Sequence, residues 1–346
     1  MKFSNIYFIL LVIMICSCEV DNEYIPVYQD AIYIMDANGS NKQKVIEVDG
    51  CCNVQFIPDS DKLLYMLNRT DGSNMGSLYT VNTDGSEITQ ISSELKIRRD
   101  LPSISDDGIK IVFWVFDDSR DYAIYDLYMV DPMGIEITNL TQTDNMSEID
   151  ATFIQYQDQE YLLYVTYFTE NEINYSTINM MNTTTFEIDT LYVEEIEGDH
   201  GFRKTIYDNV NDILFTIFNY YSVLEYSSLE NGESIFVSDC LLRTMSLSIM
   251  YNQLLFNSIS IMKYDYSLNQ TNELVDGYRY QVFQDKVIYC TYSHSNDGDI
   301  YSIKLDGSNN TFLSEDGFYP RFSKDGSRIV YIGRYVTNPK RNLITN

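Results

Sequence analysis

The sequence predicts an all-β fold built from one repeated unit, and three observations carry that expectation. The chain holds 30 tyrosines and 17 phenylalanines, residues that favour the half-buried surface of a strand over a helix. Short runs alternate with the two-residue period of a strand, as where Tyr301, Ile303 and Leu305 interleave with Ile300, Ser302 and Lys304. Asp-Gly or Asn-Gly pairs then interrupt these runs at intervals, and their glycines supply the positive φ that a tight hairpin turn requires.

Taken in order, the first hairpin is IYIMDANGSNKQKVI, from Ile32, with Asn38-Gly39 at its turn. LYTVNTDGSEITQI turns at Asp84-Gly85 and LYMVDPMGIEITNL at Met133-Gly134. The motif then weakens. INMMNTTTFEIDTL turns near Thr183, LEYSSLENGESIFV at Asn231-Gly232, and MKYDYSLNQTNELV near Asn269, before DIYSIKLDGSNNTFL (Asp299 to Leu313) restores it at Asp306-Gly307. These are seven hairpins about 37 to 49 residues apart.

A second hairpin runs between them, clearest in YPRFSKDGSRIVYIG from Tyr319 to Gly333. Its parallels begin at Val54, Leu101 and Ala151, and degenerate forms end at Phe215, Phe256 and Tyr289. Two hairpins per repeat make the four-stranded blade of a β-propeller. The alternation of a Phe-Ser-x-Asp-Gly-like turn with Ile-Tyr-x-x-x-x-Asp-Gly is similar to the TolB-type, WD-like repeats of bacterial propellers. That resemblance spans roughly residues 31 to 335 and is sharpest around Gly85, Gly134, Gly307 and Gly326. The chain opens with an outer hairpin lacking an inner one and closes with the reverse, and each alone exposes unpaired edges. Joining them closes the ring at seven four-stranded antiparallel blades, with six or eight as alternatives. The domain organisation expected is a signal peptide over 1-17, an acylated Cys with its tether over 18-30, the propeller over 31-335 and a tail over 336-346.

The beginning of the chain carries an address. Lys2 precedes a ten-residue apolar run, Ile6 to Ile15, and small Ser17 stands before Cys18. At about 1.5 Å per residue that run is too short for a hydrocarbon core of about 30 Å, so it is no transmembrane helix. Ile15-Cys16-Ser17-Cys18 resembles the lipobox of bacterial lipoproteins, with a simple secretory signal as the alternative. The resemblance implies acylation at Cys18, where buried chains contribute about 0.8 kcal/mol per CH₂ to anchoring. Glu19, Asp21 and Glu23 resemble the acidic export tag of Bacteroidetes-type surface lipoproteins. The expected location is the outer membrane, facing the periplasm or displayed on the cell surface.

Chemistry is harder to place. Net charge is -28, which repels phosphate backbones and excludes nucleic acid as a partner. The two histidines, His200 and His294, are too few for a histidine-rich metal centre, and no G-x-S-x-G elbow appears. Asp36 to Gly39 and Ser323 to Gly326 read as turns, not calcium loops or an Asp-box. Neither cofactor, metal ligand nor catalytic residue is expected, and the chain is expected not to be an enzyme. Cys51, Cys52, Cys240 and Cys290 match no zinc spacing, leaving a disulfide such as Cys240 with Cys290 or buried thiols.

One distribution stands out. Arg98, Arg99, Arg203, Lys204, Arg243, Arg279 and Arg321 all lie where the chain enters an innermost strand, and innermost strands line a propeller's channel. The connections between second and third strands, including Asn68 to Gly76, Asp117 to Asp126 and Ser293 to Asp299, fall on the same face. The expectation is a cationic pocket for a carboxylate, on an envelope protein or peptide partner or on an acidic glycan, with Tyr220, Tyr221 and Tyr226 as candidate stacking platforms for sugars. The alternative is that each cation pairs with a nearby acid. The function expected is thus a lipid-anchored binding or scaffold propeller, the other reading being a glycan-binding protein or glycan-active enzyme.

Overall fold

The structure is a computed structural model and describes residues 28–69, 75–92, 95–117, 124–197, 201–218, 222–226, 234–239, 247–257, 260–291 and 298–337. The large compact unit runs from Asp30 to Arg334. Among the described residues every regular element is a strand, as expected for an all-β chain.

The described residues begin with the hairpin β1 (Tyr28–Asp36) and β2 (Gln43–Val48). An antiparallel meander follows: β3 (Cys51–Phe56), β4 (Lys62–Asn68), β5 (Met75–Asn82) and β6 (Thr89–Gln90). Short β7 (Ile97–Arg98) leads to β8 (Ser103–Ile104), β9 (Ile111–Asp117), β10 (Ile124–Val130) and β11 (Thr138–Asn139). Three separate four-stranded sheets come next. They are β12 (Met146–Tyr156), β13 (Gln159–Glu170), β14 (Ile173–Asn182) and β15 (Ile188–Ile196); β16 (Phe202–Asp208), β17 (Ile213–Phe218), β18 (Ser222–Tyr226) and β19 (Ser234–Asp239); and β20 (Leu247–Met250), β21 (Gln253–Asn257), β22 (Ile261–Asp265) and β23 (Gln270–Val275). The described residues end with β24 (Tyr278–Phe283), β25 (Lys286–Cys290), β26 (Gly298–Lys304), β27 (Thr311–Phe322) and β28 (Arg328–Val336).

Two sheets are larger because strands bridge neighbours. β7 pairs with both β5 and β9, and long β27 pairs with β26 through Thr311 to Gly317 and with β28 through Gly317 to Phe322. Among the described residues no sheet closes on itself. The terminal hairpins do join as expected: the order β2-β1-β28-β27 places the first hairpin on the edge of the last. Arg334 fixes that seam, its Nε donating to Asp30 Oδ1 at 2.7 Å and its Nη2 to Oδ2 at 3.3 Å.

The repeat's sequence signs act as turns. In the Asp-Gly-Ser turn the Asp306 carboxylate accepts from Ser308 N at 2.8 Å and from its hydroxyl at 2.6 Å, and Asp84 does the same for Ser86. Gly85 has φ +87°, and a Cβ there would stand 2.5 Å from the Val45 carbonyl oxygen on β2. Glycine is therefore required twice, by the turn and by the adjoining sheet. Asp325 likewise accepts from Ser323 and Ser327, which holds its carboxyl down at about 2.

The core lies between successive sheets. Ile57, Leu64 and Leu78 pack with Ile111 and Phe113, Val112 and Leu127 with Leu162 and Tyr164, and Leu163 and Ile178 with Phe202 and Leu214. Phe215 then meets Leu254, and Leu255 meets Val287 and Tyr289. A last cluster holds Ile32, Ile329 and Tyr331 together with Val54, Leu63 and Tyr65, so the succession returns to the sheet where it began.

That return depends on the terminal seam. A chain ended at Asp316 lacks β28 and the part of β27 that pairs with it, and leaves β1 without a neighbour on one side. Its thermal transition should lose cooperativity and fall by more than about 10 °C. An unchanged transition, followed by circular dichroism, would show that the seam is dispensable.

A candidate cationic site in the channel

A cavity of about 1260 Å³ occupies the middle of the large unit. Among the described residues the first strands that line it are β3, β8, β12, β16, β20, β24 and β27, through Gln55, Ser103, Thr152, Thr205, Ser248, Gln281 and Arg321 respectively. Several of these polar side chains bond across to the next first strand or the segment leading into it. Gln55 Nε2 donates to Pro102 O at 2.8 Å, Ser103 Oγ accepts from Phe153 N at 3.3 Å, and Gln281 Oε1 accepts from Phe322 N at 2.6 Å. They satisfy backbone groups that a first strand, with a partner on one side only, leaves over.

Five of these first strands, β3, β12, β16, β24 and β27, bulge near their start. The register shifts between Cys51 and Asn53, Ile149 and Thr152, Phe202 and Thr205, Tyr278 and Gln281, and Phe318 and Arg321. Asp150, Arg279 and Tyr319 adopt positive φ there, at 55°, 49° and 55°. Bulges re-aim side chains and recur beside functional sites, and left-handed backbone at a bulky residue costs roughly 1 kcal/mol or more.

The predicted cations divide on this frame. Arg98, Arg203, Lys204 and Arg321 line the cavity. Arg98 pairs with Asp100 through Nε at 3.2 Å and donates from Nη1 to the Tyr125 hydroxyl at 3.1 Å. Arg203 lies over the Tyr167 ring at 4.9 Å, and Lys204 Nζ donates to Thr152 Oγ1 at 3.4 Å. Arg321 Nη1 donates to Tyr280 O at 3.2 Å, while its buried Nε has no hydrogen-bond partner among the described residues. Burial lowers its guanidinium, and only Cys290, Tyr319 and Tyr280 offset this. Two predicted cations turn elsewhere: Arg99 donates to Asn68 Oδ1 at 2.9 Å, and Arg279 stacks 3.9 Å over the Tyr319 ring. Arg243 and Cys18 lie outside the described residues, as do Cys240, His200, His294, Tyr220 and Tyr221. Cys51, Cys52 and Cys290 are free thiols, and burial pushes Cys290 up to about 12.

Sequence reasoning missed the acids and rings of the cavity. Asp100 and Asp150 line it, as do Trp114, Tyr125, Tyr167, Phe168 and Tyr175. Several of these stand near the ends of the β9–β10 and β13–β14 hairpins, so the cavity opens toward connections between second and third strands. Of the long segments expected there, residues 70–74, 118–123 and 292–297 are outside the described residues. Asp150 stands two residues before Thr152, as Arg279 and Tyr319 stand two before Gln281 and Arg321.

Beside the cavity, without lining it, a second acid is buried. Glu148 is 2% exposed; burial raises its carboxyl from 4.5 to about 7, opposed by a hydrogen bond from Thr143 Oγ1 at 2.9 Å and reinforced by Asp126. The folded chain thus holds a proton that the unfolded chain releases near pH 4.5. Its contribution is present below that value and is lost as pH rises toward 7. Urea midpoints should therefore fall between pH 5 and 8. Glu148→Gln should flatten that fall by on the order of 3 kcal/mol; an equal fall in both proteins would place the titration elsewhere.

No family model matches this chain, and no curated protein matches it. Solved structures do. An oligogalacturonate lyase in complex with manganese superposes with TM-score 0.59 at 13% identity, over 89% of this chain and 96% of that one. A prolyl endopeptidase superposes with TM-score 0.56 at 10% identity, over 90% of this chain and 55% of that one. The β-propeller domain of Cps50 (Swd1) from Myceliophteria thermophila gives 0.52 at 10%, over 88% and 99%.

Proposed function

We infer that the β-propeller fold these comparisons establish corrects the expectation that the chain is not an enzyme. A lyase and an endopeptidase are among the structures sharing this architecture, so the lack of a familiar motif does not exclude catalysis. Propellers assemble sites from separate strands, which motif spacing cannot register. At such identities the likeness conveys the fold and neither activity nor substrate.

We propose that the chain is a lipid-anchored propeller of a bacterial outer membrane, related to TolB-type repeat proteins, that binds an acidic segment of an envelope protein at the mouth of its channel. One blade for each channel-lining first strand gives seven. The observation that carries the binding reading is the convergence of Arg98, Arg203, Lys204 and Arg321 on one cavity in a chain of net charge -28. Cations gathered against the sign of the whole molecule are a selective feature, and solubility does not call for them. A second reading, an acidic glycan bound or processed in the same cavity, is favoured by its aromatic wall, where Phe168 stacks on Tyr175 at 5.2 Å.

The test uses the full-length protein in detergent with two probes, rhodamine-labelled hexa-aspartate and an oligogalacturonate. Hexa-aspartate should bind, weaken at 0.5 M salt, and lose roughly ten-fold or more in affinity with Arg203→Ala and Lys204→Ala together. Preferential binding or turnover of the sugar would favour the second reading, and unaltered binding in the double variant would remove the site. The anchor is tested separately. Cys18→Ser should abolish labelling by a palmitate analogue and release the protein from membranes, and retained labelling would overturn the assignment.

A further inference from the structure

Asp150 stands among the cations of the cavity without an ion pair or hydrogen bond of its own among the described residues. Its position is imposed by the β12 bulge, where it takes φ 55°. It lines the main cavity and, with Lys204 and Trp114, a second void of about 10 Å³ behind it. The charged groups facing it are Lys204 and Arg203 from β16 and Arg98 and Asp100 from the segment around β7. The remaining walls of the small void, including Trp114 on β9 and Leu127 on β10, carry no charge. An ionised Asp150 therefore competes with any incoming carboxylate for the same three cations.

We propose that the channel takes up its anionic ligand together with a proton, and that Asp150 is the group that accepts it. This rests on the anion-binding reading above and deepens it. The ligand's carboxylate replaces that of Asp150 as counter-ion to Lys204, Arg203 and Arg98, and the two like charges cannot both remain ionised in the recess at little cost. The proton comes from solvent and stays on the Asp150 carboxyl, with no bond of the ligand broken. Burial already raises this carboxyl to about 6, Lys204 opposing and Asp100 reinforcing, so uptake falls in a window where the ligand's own carboxylates stay ionised. Linkage gives the sign: a site that gains a proton on binding binds more tightly as pH falls.

The experiment measures binding of rhodamine-labelled hexa-aspartate to the full-length protein from pH 8 to pH 6. Affinity should rise about five- to ten-fold per pH unit in the wild type. Asp150→Asn, which keeps the shape and tolerates the left-handed backbone, should bind at pH 8 as tightly as the wild type does at pH 6, with little dependence on pH. Glu148→Gln should retain the wild-type slope. Calorimetry of the wild type at pH 7 in two buffers of different ionisation enthalpy should register uptake of about one proton, a readout that needs no variant to fold. Binding without pH dependence, or an unchanged slope in Asp150→Asn, would overturn the coupling and leave the anion site standing. No binding at any pH would overturn both.

Discussion

The antiparallel neighbourship of β1 and β28 is the constraint on which the rest of the structure depends. Its two strands come from opposite ends of the sequence, and the Arg334–Asp30 pair across it spans 304 positions. Bringing such distant segments together is entropically costly and is rewarded only once the intervening sheets are in place. Each intermediate sheet can pack on its predecessor as the chain proceeds. The cluster that joins Ile32 and Ile329 to Val54 and Leu63 needs both ends at once. Without it the β3 side and the β27 side each expose an apolar face, and the cavity between the first strands has no fixed circumference.

The channel follows from that closure. First strands have a hydrogen-bonded partner on one side and the cavity on the other, so their free backbone groups need either water or a neighbour's side chain. Gln55, Ser103 and Gln281 meet this need with bonds to the next strand or its leading segment. The bulges on β3, β12, β16, β24 and β27 increase local twist, and at Asp150 and Arg279 the bulge holds a bulky polar residue in left-handed backbone. Strain that recurs at one place on three first strands belongs to the architecture, whereas the identity of the strained residue is free to vary. That freedom is where Asp150, Arg279 and Tyr319 differ.

Much of the fold was legible because its signals are local. Asp-Gly-Ser turns satisfy their own hydrogen bonds and reveal themselves over three residues, as at Asp306 to Ser308. Even the weakened repeat near Asn269 falls at the hairpin between β22 and β23, while Asn231 and Gly232 lie outside the described residues. The site was legible only in part. Placing cations at the entry to first strands picked out Arg98, Arg203, Lys204 and Arg321, which line one cavity. It did not separate them from Arg99, which turns to Asn68, or from Arg279, which at the β24 bulge lies over the Tyr319 ring. Asp150 and Trp114 escaped for a different reason: one is a lone acid in an acidic chain, and the other lies on a second strand whose relation to the channel is set by packing.

Arg321 shows most directly that the charge in the channel is not a structural necessity. It occupies the position held on other first strands by Thr152, Thr205 and Gln281, each of them neutral. The fold is thus built several times over without a cation there. A guanidinium in that recess is costly, since burial disfavours its charged form and its Nε finds no acceptor among the described residues. Tyr280 O receives one of its hydrogen bonds, a contact that a neutral amide could make as well. Among the described residues the fold thus gains no hydrogen bond from the charge that a neutral residue would not provide. An anion bound in the cavity, as proposed above, would offset the buried charge.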